Sequence, residues 1–329
     1  MRLLILGGTE FAGRAVAEAA LARGWQVTVF HRGRHAPPPG AAVLLGDRTR
    51  TGGLTALDHG EWDAVVDTWT GAPVAVRDAA RLLAGRVDRY VYLSSRSVYA
   101  HPAPGPLSET SPLVEAAADA GPVGYPQAKR GGELAATEAF GDRALLVRAG
   151  LLLGPRENVG RLPWWLARVA RGGPVLAPGP QDLPLQYLDA RDLADWILGA
   201  LDRGLGGPYN LVSPPGHTTM RELLDTCVSA TGSRAELRWA DPEPLLAAGV
   251  EPWTELPLWL PPGDLHRTFH GTDVAAAVAT GLRCRPVADT VTDTWLWLEG
   301  QGGRIELRTD RPPVGLSAER EAAVLRSLE

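Results

Sequence analysis

Short apolar runs alternate with alanine-rich helical stretches through the first half of the sequence, and this alternation restricts the fold more than any other feature. The runs are Leu3–Leu6, Val27–Phe30, Ala42–Leu45, Ala64–Val66, Tyr90–Leu93 and Ala144–Val147. Stretches with helical spacing include Ala12–Arg23, Pro73–Ala84 and Gln127–Phe140. Continuous apolar strands that alternate with helices are typical of a parallel sheet buried on both faces. The pattern therefore predicts an α/β fold with a doubly wound parallel sheet.

A glycine-rich turn follows the first apolar run and leads into the first helical stretch. It reads Gly7-Gly8-Thr9-Glu10-Phe11-Ala12-Gly13. Glycine lets the backbone approach a pyrophosphate closely, and a helix N-terminus offers unpaired amides and the positive end of a dipole. Because the turn stands at the first strand-to-helix junction, we predict that it binds a dinucleotide.

Basic residues follow the second run, at a strand end where NAD-binding folds usually carry Asp or Glu. His31 and Arg32 stand there, followed by Gly33 and Arg34. Arginine can bind a 2′-phosphate in bidentate geometry. The pattern favours NADP over NAD, unless the two arginines only face solvent.

Lys129 is the one lysine among 33 basic residues, and Tyr125 stands four residues before it. That spacing places both side chains on one face of a helix, a turn apart. A nearby cation lowers the pKa of a phenol and so fits it for proton exchange. An ammonium can also hold the two hydroxyls of a nicotinamide ribose. We predict this role for Lys129; the alternative is a solvated lysine on a helix surface.

The run Tyr90–Leu93 continues into Ser94-Ser95-Arg96-Ser97-Val98-Tyr99, and Ser95 is the second residue after the run. At the carboxyl end of a parallel strand a serine can hydrogen-bond a substrate oxygen and hold it against the tyrosine. A serine at this position could equally well be a turn former.

These motifs together resemble the short-chain dehydrogenase/reductase superfamily. The order GGTEFAG, YVYLSSRSVY and YPQAK is similar to its extended and atypical members, often labelled NAD-dependent epimerase/dehydratase. The resemblance spans about residues 1–300 and includes Gln186–Ala194. It implies a Rossmann fold, a nicotinamide cofactor and an enzymatic activity.

The resemblance also implies roles for particular residues. Tyr125 corresponds to the catalytic acid/base, Lys129 to the residue that tunes it, and Ser95 to the serine that orients the substrate. The implied cofactor site consists of Gly7, Gly8, Thr9, Phe11, Gly13, His31, Arg32, Asp47, Thr68 and Lys129. Among them, Asp47 is expected to meet the adenine and Thr68 to lie beside the pyrophosphate or ribose.

The sequence departs from the pattern of sugar-nucleotide epimerases in three ways. Glu10 occupies the middle glycine position of the phosphate turn, and His31 and Arg32 replace an acidic residue and a small polar one. Leu185 stands where those epimerases place an arginine that grips the substrate diphosphate. The resemblance therefore makes a sugar nucleotide a less natural substrate, although Arg156 or Arg191 could compensate.

The second half of the chain has a different character. Gly154-Pro155 interrupts the alternation, and proline and tryptophan become frequent. We expect a dinucleotide-binding Rossmann domain at residues 1–153, to which the chain returns around 183–212. Residues 154–329 would form mainly a smaller substrate-binding lobe. Within it, segment 241–264 is expected to be a lid, a pocket wall or an irregular packed loop.

Composition and residue spacing limit the partners and cofactors that we expect. A net charge of −5 gives no support for a nucleic-acid or acidic-membrane partner, and the two cysteines suggest no disulfide framework. His266 and His270 are spaced as in zinc helices, but no third ligand is obvious, so we expect no metal. We expect a cytoplasmic monomer or homodimer that acts on a small molecule, without nucleic-acid or membrane partners.

The leading hypothesis is an NADP-dependent oxidoreductase that transfers a hydride to or from a small carbonyl or alcohol. An epimerase or dehydratase, possibly acting on a sugar nucleotide, would instead oxidise its substrate transiently with a retained cofactor. A non-catalytic family member that senses the cofactor or binds RNA is the third hypothesis. The complete Ser-Tyr-Lys set argues against this last possibility.

Overall fold

A computed structural model describes residues 1–103, 105–309 and 311–328. In chain order its strands are β1 (Arg2–Leu6), β2 (Gln26–His31), β3 (Ala42–Leu45), β4 (Ala64–Asp67), β5 (Arg89–Ser95), β6 (Ala144–Ala149), β7 (Leu152–Leu153), β8 (Gly173–Pro178), β9 (Pro184–Leu185), β10 (Leu188–Asp189), β11 (Gly207–Leu211), β12 (Thr218–Thr219) and β13 (Ala235–Ala240). Its α-helices are α1 (Phe11–Ala22), α2 (Pro73–Leu83), α3 (Tyr125–Phe140), α4 (Arg161–Ala170), α5 (Ala190–Asp202), α6 (Met220–Thr231), α7 (Pro242–Ala247), α8 (Asp264–His270), α9 (Ala275–Ala279), α10 (Val287–Gly300) and α11 (Ala318–Ser327).

The chain forms two compact units, each assembled from three segments. The first unit contains Met1–Gly150, Ala190–Val212 and Asp273–Arg283. The second unit contains Leu151–Asp189, Ser213–Thr272 and Cys284–Glu329.

A seven-stranded sheet is the centre of the first unit. Its strand order is β3-β2-β1-β4-β5-β6-β11, and every pairing is parallel. The order reverses at β1, whose Leu3 pairs with Val27 of β2 on one side and with Ala64 of β4 on the other. In sheets of this kind, ligands bind outside the carboxyl ends of the strands at this reversal. The predicted doubly wound α/β fold is confirmed.

Helices cover both faces of the sheet because the strands are apolar on both faces. In β1, Leu4 and Leu6 belong to the core cluster that includes α2 and α3. Leu3 and Ile5 alternate with them and are also fully buried. Successive side chains of a strand point to opposite faces, so a strand without polar alternation needs cover on each. Each of the six apolar runs lies within or along one strand of this sheet.

The second unit has three small sheets around a separate core. The strand β8 pairs with β13 in parallel, β7 pairs with β10, and β9 pairs with β12. Helices α4, α6 and α10 pack on one another. Within segment 241–264, Leu258 and Trp259 are buried in this core, and Trp259 Nε1 donates to Gly179 O at 2.9 Å. That part of the segment is a packed loop.

Among the described residues, no helix combines the length and the apolar composition that crossing a bilayer requires.

Gly132 allows α3 to lie close to β5. A Cβ added there would stand 2.4 Å from Cζ of Tyr92, whose side chain is fully buried. We predict that Gly132→Ala lowers the free energy of unfolding by about 1–3 kcal/mol, because the helix must shift off the sheet. Gly300→Ala is the matched control, since an added Cβ meets nothing within 4 Å there. Urea denaturation measures both; equal midpoints for the two variants would contradict the prediction.

Candidate functional site

The glycine turn lies at the carboxyl end of β1, where β4 also ends. Gly7 and Gly8 have φ angles of 116° and 83°, in the region that favours glycine. A Cβ on Gly7 would stand 2.2 Å from Oγ1 of Thr68, which itself donates to Leu6 O at 3.0 Å. The structure therefore brings the turn and Thr68 together, as expected for two parts of one cofactor site.

The helix α1 begins directly after this turn. Gly13 lies in its first turn, and a Cβ there would stand 2.9 Å from the Gly8 backbone nitrogen. Glu10, at the N-cap position, makes no side-chain capping bond to the first helical amides. Phe11 has φ 31°, and both it and Thr9 are partly buried. Backbone amides and the helix N-terminus thus line the turn, which suits an anionic phosphate.

The end of β2 and the segment after β3 carry the residues expected at the adenosine. Hydrogen bonds from Thr49 lower the pKa of Asp47, and the charges of Arg32 and Arg50 act in the same direction. Arg32 is exposed, and its charge acts on Asp47. His31 Nδ1 accepts a hydrogen bond from Gly33 N at 3.1 Å. Burial lowers the pKa of His31, so its ring is neutral near neutral pH.

Lys129 is buried at the carboxyl ends of β4 and β5, with 2% of its surface exposed. Its Nζ donates to Trp69 O at 2.7 Å and to Leu93 O at 2.6 Å. Nζ also lies 4.9 Å from the centre of the Tyr92 ring. An ammonium removed from water needs hydrogen-bond acceptors and a favourable field, and two carbonyls and a ring face supply them. The alternative of a solvated surface lysine is excluded.

Tyr125 is the first residue of α3, one helical turn before Lys129, and is half-buried. Burial raises the pKa of Tyr92 well above its ordinary value, and the charges of Asp67 and Tyr125 add to that rise. The charge of Tyr125 therefore acts on the same Tyr92 ring that Nζ contacts. The structure brings this tyrosine and lysine to one place.

Ser95 ends β5, two residues beyond the carbonyl that holds Lys129. Its Oγ accepts from Ser97 N at 3.1 Å and donates to Ser97 Oγ at 3.2 Å. These bonds begin the single 3₁₀ turn Arg96–Val98. The turn-forming role considered for this serine is thus real, and the residue also stands at the strand end where a substrate oxygen would be held.

Two residues behind Lys129, Asp67 and Arg48, were not identified from the sequence. Asp67, fully buried at the end of β4, accepts from Arg48 Nη1 and Nη2 at 2.7 and 2.8 Å and from Trp69 N at 2.9 Å. Trp69 in turn supplies the carbonyl for Lys129. The sequence signal that could have identified Asp67 is its position directly after the apolar run Ala64–Val66.

A second buried polar network joins α3 to β5 and β6. Glu133, one turn after Lys129, accepts from Ser94 Oγ at 2.7 Å and from Arg148 Nε at 2.9 Å. Arg148 also donates to Tyr99 Oη at 3.2 Å, and Tyr99 Oη donates to Asn210 Oδ1 at 2.6 Å. The network fixes the helix that carries Tyr125 against the strand that carries Ser95.

The paired histidines lie in the second unit. His266 Nε2 is 2.9 Å from Pro184 O, and His270 Nδ1 accepts from Gln186 N at 2.9 Å. Within residues 1–103, 105–309 and 311–328, no group of three or more His, Cys, Asp or Glu side chains has the arrangement of a metal site. These contacts give both rings a structural role.

Residues 62–211 match the model of the NAD dependent epimerase/dehydratase family. No curated protein matches the chain in sequence.

Solved structures with the same fold include several enzymes. The Bordetella bronchiseptica enzyme WbmH, in complex with NAD⁺, is 19% identical with a TM-score of 0.69, over 92% of this chain and 99% of that one. The enzyme WbmG from the same organism, in complex with NAD and UDP, is 19% identical with a TM-score of 0.68, over 95% and 99%. A UDP-galactose 4-epimerase is 19% identical with a TM-score of 0.63, over 92% and 99%.

The family match includes β4, β5, Ser95, Tyr125 and Lys129, the elements around which the candidate site is built. The resemblance to short-chain dehydrogenases/reductases of the extended branch is confirmed, as is the predicted type of enzyme. Residues 62–211 thus match the NAD dependent epimerase/dehydratase family, within a chain that has the fold of the enzymes named above.

Proposed function

We propose that the protein moves a hydride to or from a carbon that bears a hydroxyl or carbonyl group, with Tyr125 as acid/base. The observation that carries this proposal is the burial of Lys129 at the carboxyl ends of β4 and β5, one helical turn from Tyr125. A lysine buried for packing alone would be unusual, because desolvating an ammonium is unfavourable.

The strand-end cradle fits a nicotinamide dinucleotide. The turn after β1 has no room for a Cβ at Gly7, Gly8 or Gly13, and a helix begins directly behind it. The residues proposed to hold the cofactor are Gly7, Gly8, Thr9, Phe11 and Gly13 at the phosphates, His31, Arg32 and Asp47 at the adenosine, and Thr68 and Lys129 toward the nicotinamide side. The bound cofactor would supply the hydride or accept it.

The protein's own groups would handle the proton and position the substrate. In the reducing direction Tyr125 gives its phenolic proton to the substrate oxygen, and in the oxidising direction the phenolate takes it back. Lys129, one helical turn away, is the cation proposed to stabilise the phenolate. Ser95 holds the substrate oxygen within reach of the tyrosine.

Within this chemistry, an epimerase or dehydratase with a retained cofactor is the better-supported outcome. The match to the epimerase/dehydratase family supports it. The structural neighbours support it too: WbmG was solved with NAD and UDP, and MoeE5 was solved with UDP-glucose and NAD. We therefore propose a sugar nucleotide as the first substrate class to examine.

A net NADP-dependent reductase is the second candidate. The charge of Arg32 acts on Asp47, where a 2′-phosphate would be bound. In addition, Leu185 is 1% exposed in the core of the second unit, at the position expected to carry a diphosphate-binding arginine in sugar-nucleotide epimerases. Steady loss of NADPH absorbance separates this reductase from an epimerase, which forms product with only catalytic cofactor.

The phosphate turn can be tested by one added methyl group. Gly13→Ala would place a Cβ 2.9 Å from Gly8 N and 3.1 Å from Gly8 Cα, so the backbone that receives the phosphates must move. We expect the affinity for NADH to fall by about tenfold or more. Gly85→Ala is the control, because its Cβ would meet nothing within 4 Å. Titration of NADH fluorescence measures both, and unchanged affinity in Gly13→Ala would contradict the proposed cradle.

Arg32 tests the cofactor preference. We expect Arg32→Ala to weaken NADPH binding by about tenfold and to leave NADH binding nearly unchanged, since only NADPH carries the 2′-phosphate. Arg81→Ala removes the same charge from an exposed position on α2 and serves as the control. Isothermal titration with both cofactors measures the ratio. An equal loss for NADH and NADPH would argue against 2′-phosphate recognition by Arg32.

Tyr125→Phe tests the acid/base role. Cofactor binding should persist, while turnover should fall by a factor on the order of 10²–10⁴, because the proton has no donor or acceptor. Tyr209→Phe is the control, since Tyr209 lies in β11 and packs against Trp196. The assay follows UDP-glucose epimerisation and NADPH oxidation with a panel of small carbonyl compounds. If Tyr125→Phe turned over as fast as the wild type, the acid/base role would be excluded. If both proteins bound cofactor and neither showed turnover, a non-catalytic function would be favoured.

A further inference from the structure

A buried ion pair lies behind the candidate acid/base site. Arg48 follows Asp47 in the segment after β3, and its two terminal nitrogens donate to the two carboxylate oxygens of Asp67 at 2.7 and 2.8 Å. Arg48 Nη2 also donates to Ala75 O at 2.9 Å, and Tyr90 Oη donates to Asp67 Oδ2 at 2.5 Å. The side chains of this pair are 5% and 0% exposed.

The ion pair fixes Trp69 from two sides. Asp67 Oδ1 accepts from Trp69 N at 2.9 Å, and the Arg48 guanidinium lies 5.1 Å from the centre of the Trp69 ring. The indole Nε1 donates to Ala72 O at 3.0 Å. The pair holds the backbone nitrogen and the ring of Trp69, and Ala72 holds the indole nitrogen, so the residue that carries this carbonyl is restricted at three points.

The Trp69 carbonyl is the point at which the pair reaches the site. It accepts from Lys129 Nζ at 2.7 Å and from Tyr92 Oη at 3.2 Å. The Tyr92 ring in turn lies under the ammonium. A rotation of the Trp69 peptide would therefore move one of the two carbonyls that hold Nζ.

Burial of an ion pair is weak evidence that the pair serves stability. Apolar side chains of similar volume are often as stable as such a pair or more so, because the pair must be desolvated. What two parallel charge-assisted bonds add is fixed geometry.

We propose that Arg48 and Asp67 are positioning residues, which hold the Trp69 carbonyl so that the Lys129 ammonium stays in place to tune Tyr125 and to bind the nicotinamide-side ribose. This inference rests on the proposed function. It joins the segment expected to meet the adenine, at Asp47, to the lysine expected at the other end of the cofactor.

Several charged or titratable groups face this region. They are Asp67 from β4, Tyr90 and Tyr92 from β5, Tyr125, Lys129 and Glu133 from α3, and Arg48 from the segment after β3. Burial raises the pKa of Tyr90, Tyr92 and Tyr99, so these phenols ionise at higher pH than an ordinary tyrosine.

Two variants break the geometry without changing the net charge. Arg48→Lys keeps the charge but loses the bidentate contact, and the double variant Arg48→Met/Asp67→Asn replaces the pair by two neutral side chains. Arg168→Lys is the matched control, since Arg168 forms a comparably buried pair with Glu321 in the second unit. A change in turnover or in cofactor affinity that the two site variants share is then caused by altered geometry and not by altered net charge.

The first readout is kcat at saturating cofactor, in the assay described for Tyr125→Phe. We expect kcat to fall by about tenfold in both site variants and to stay at the wild-type value in Arg168→Lys. A merely structural pair would leave kcat unchanged in the folded variants, and that result would overturn the proposal.

The second readout compares NADH with ADP, which lacks the nicotinamide-side ribose. We expect the site variants to bind NADH about tenfold more weakly and ADP about as well as the wild type. An equal loss of affinity for ADP would overturn the proposed positioning role, because the effect would then be local to the adenine end. So would unfolding of both site variants under conditions in which Arg168→Lys is folded. A wild-type protein that binds neither NADH nor NADPH would instead refute the proposed function.

Discussion

The structure around the candidate site depends on one ammonium group held between two strand-end carbonyls. Lys129 Nζ reaches Trp69 O and Leu93 O only because α3 lies close against β5. That approach requires glycine at position 132, where any Cβ would overlap the Tyr92 ring. The positions of the cation, of the helix and of Tyr125 are therefore consequences of one packing arrangement.

Much of the first unit could be predicted because its signals are local in sequence. The apolar runs and helical stretches predict a doubly wound sheet, and the glycine turn is one continuous motif from Gly7 to Gly13. The pairing of Tyr125 with Lys129 follows from a helical spacing of four. The pairs Arg48–Asp67 and Glu133–Arg148 could not be predicted, because they join residues 19 and 15 positions apart whose contact exists only after strands and helices have packed.

The second unit shows the limits of sequence patterns more clearly. Helix α10 was not predicted, since its buried face includes Thr290 and Thr294 while Leu296 is exposed, so no simple apolar stripe appears. The strands β7, β9, β10 and β12 are two residues long, too short for any periodicity to appear. The tryptophans of this unit differ in burial: Trp165 and Trp259 are fully buried in the core, whereas Trp164 and Trp253 only pack against it.

Under the proposed function, recognition of the cofactor and placement of the acid/base become one mechanical problem. Asp47 and Arg48 are consecutive residues, so the backbone that carries the carboxylate proposed to meet the adenine also carries the guanidinium that anchors Asp67. From Asp67 the contacts run through Trp69 to Lys129. Because buried groups in contact have little freedom to relax, we expect a displacement at one end to be transmitted to the other. Such coupling would place the ammonium correctly only when the whole strand edge is correctly folded.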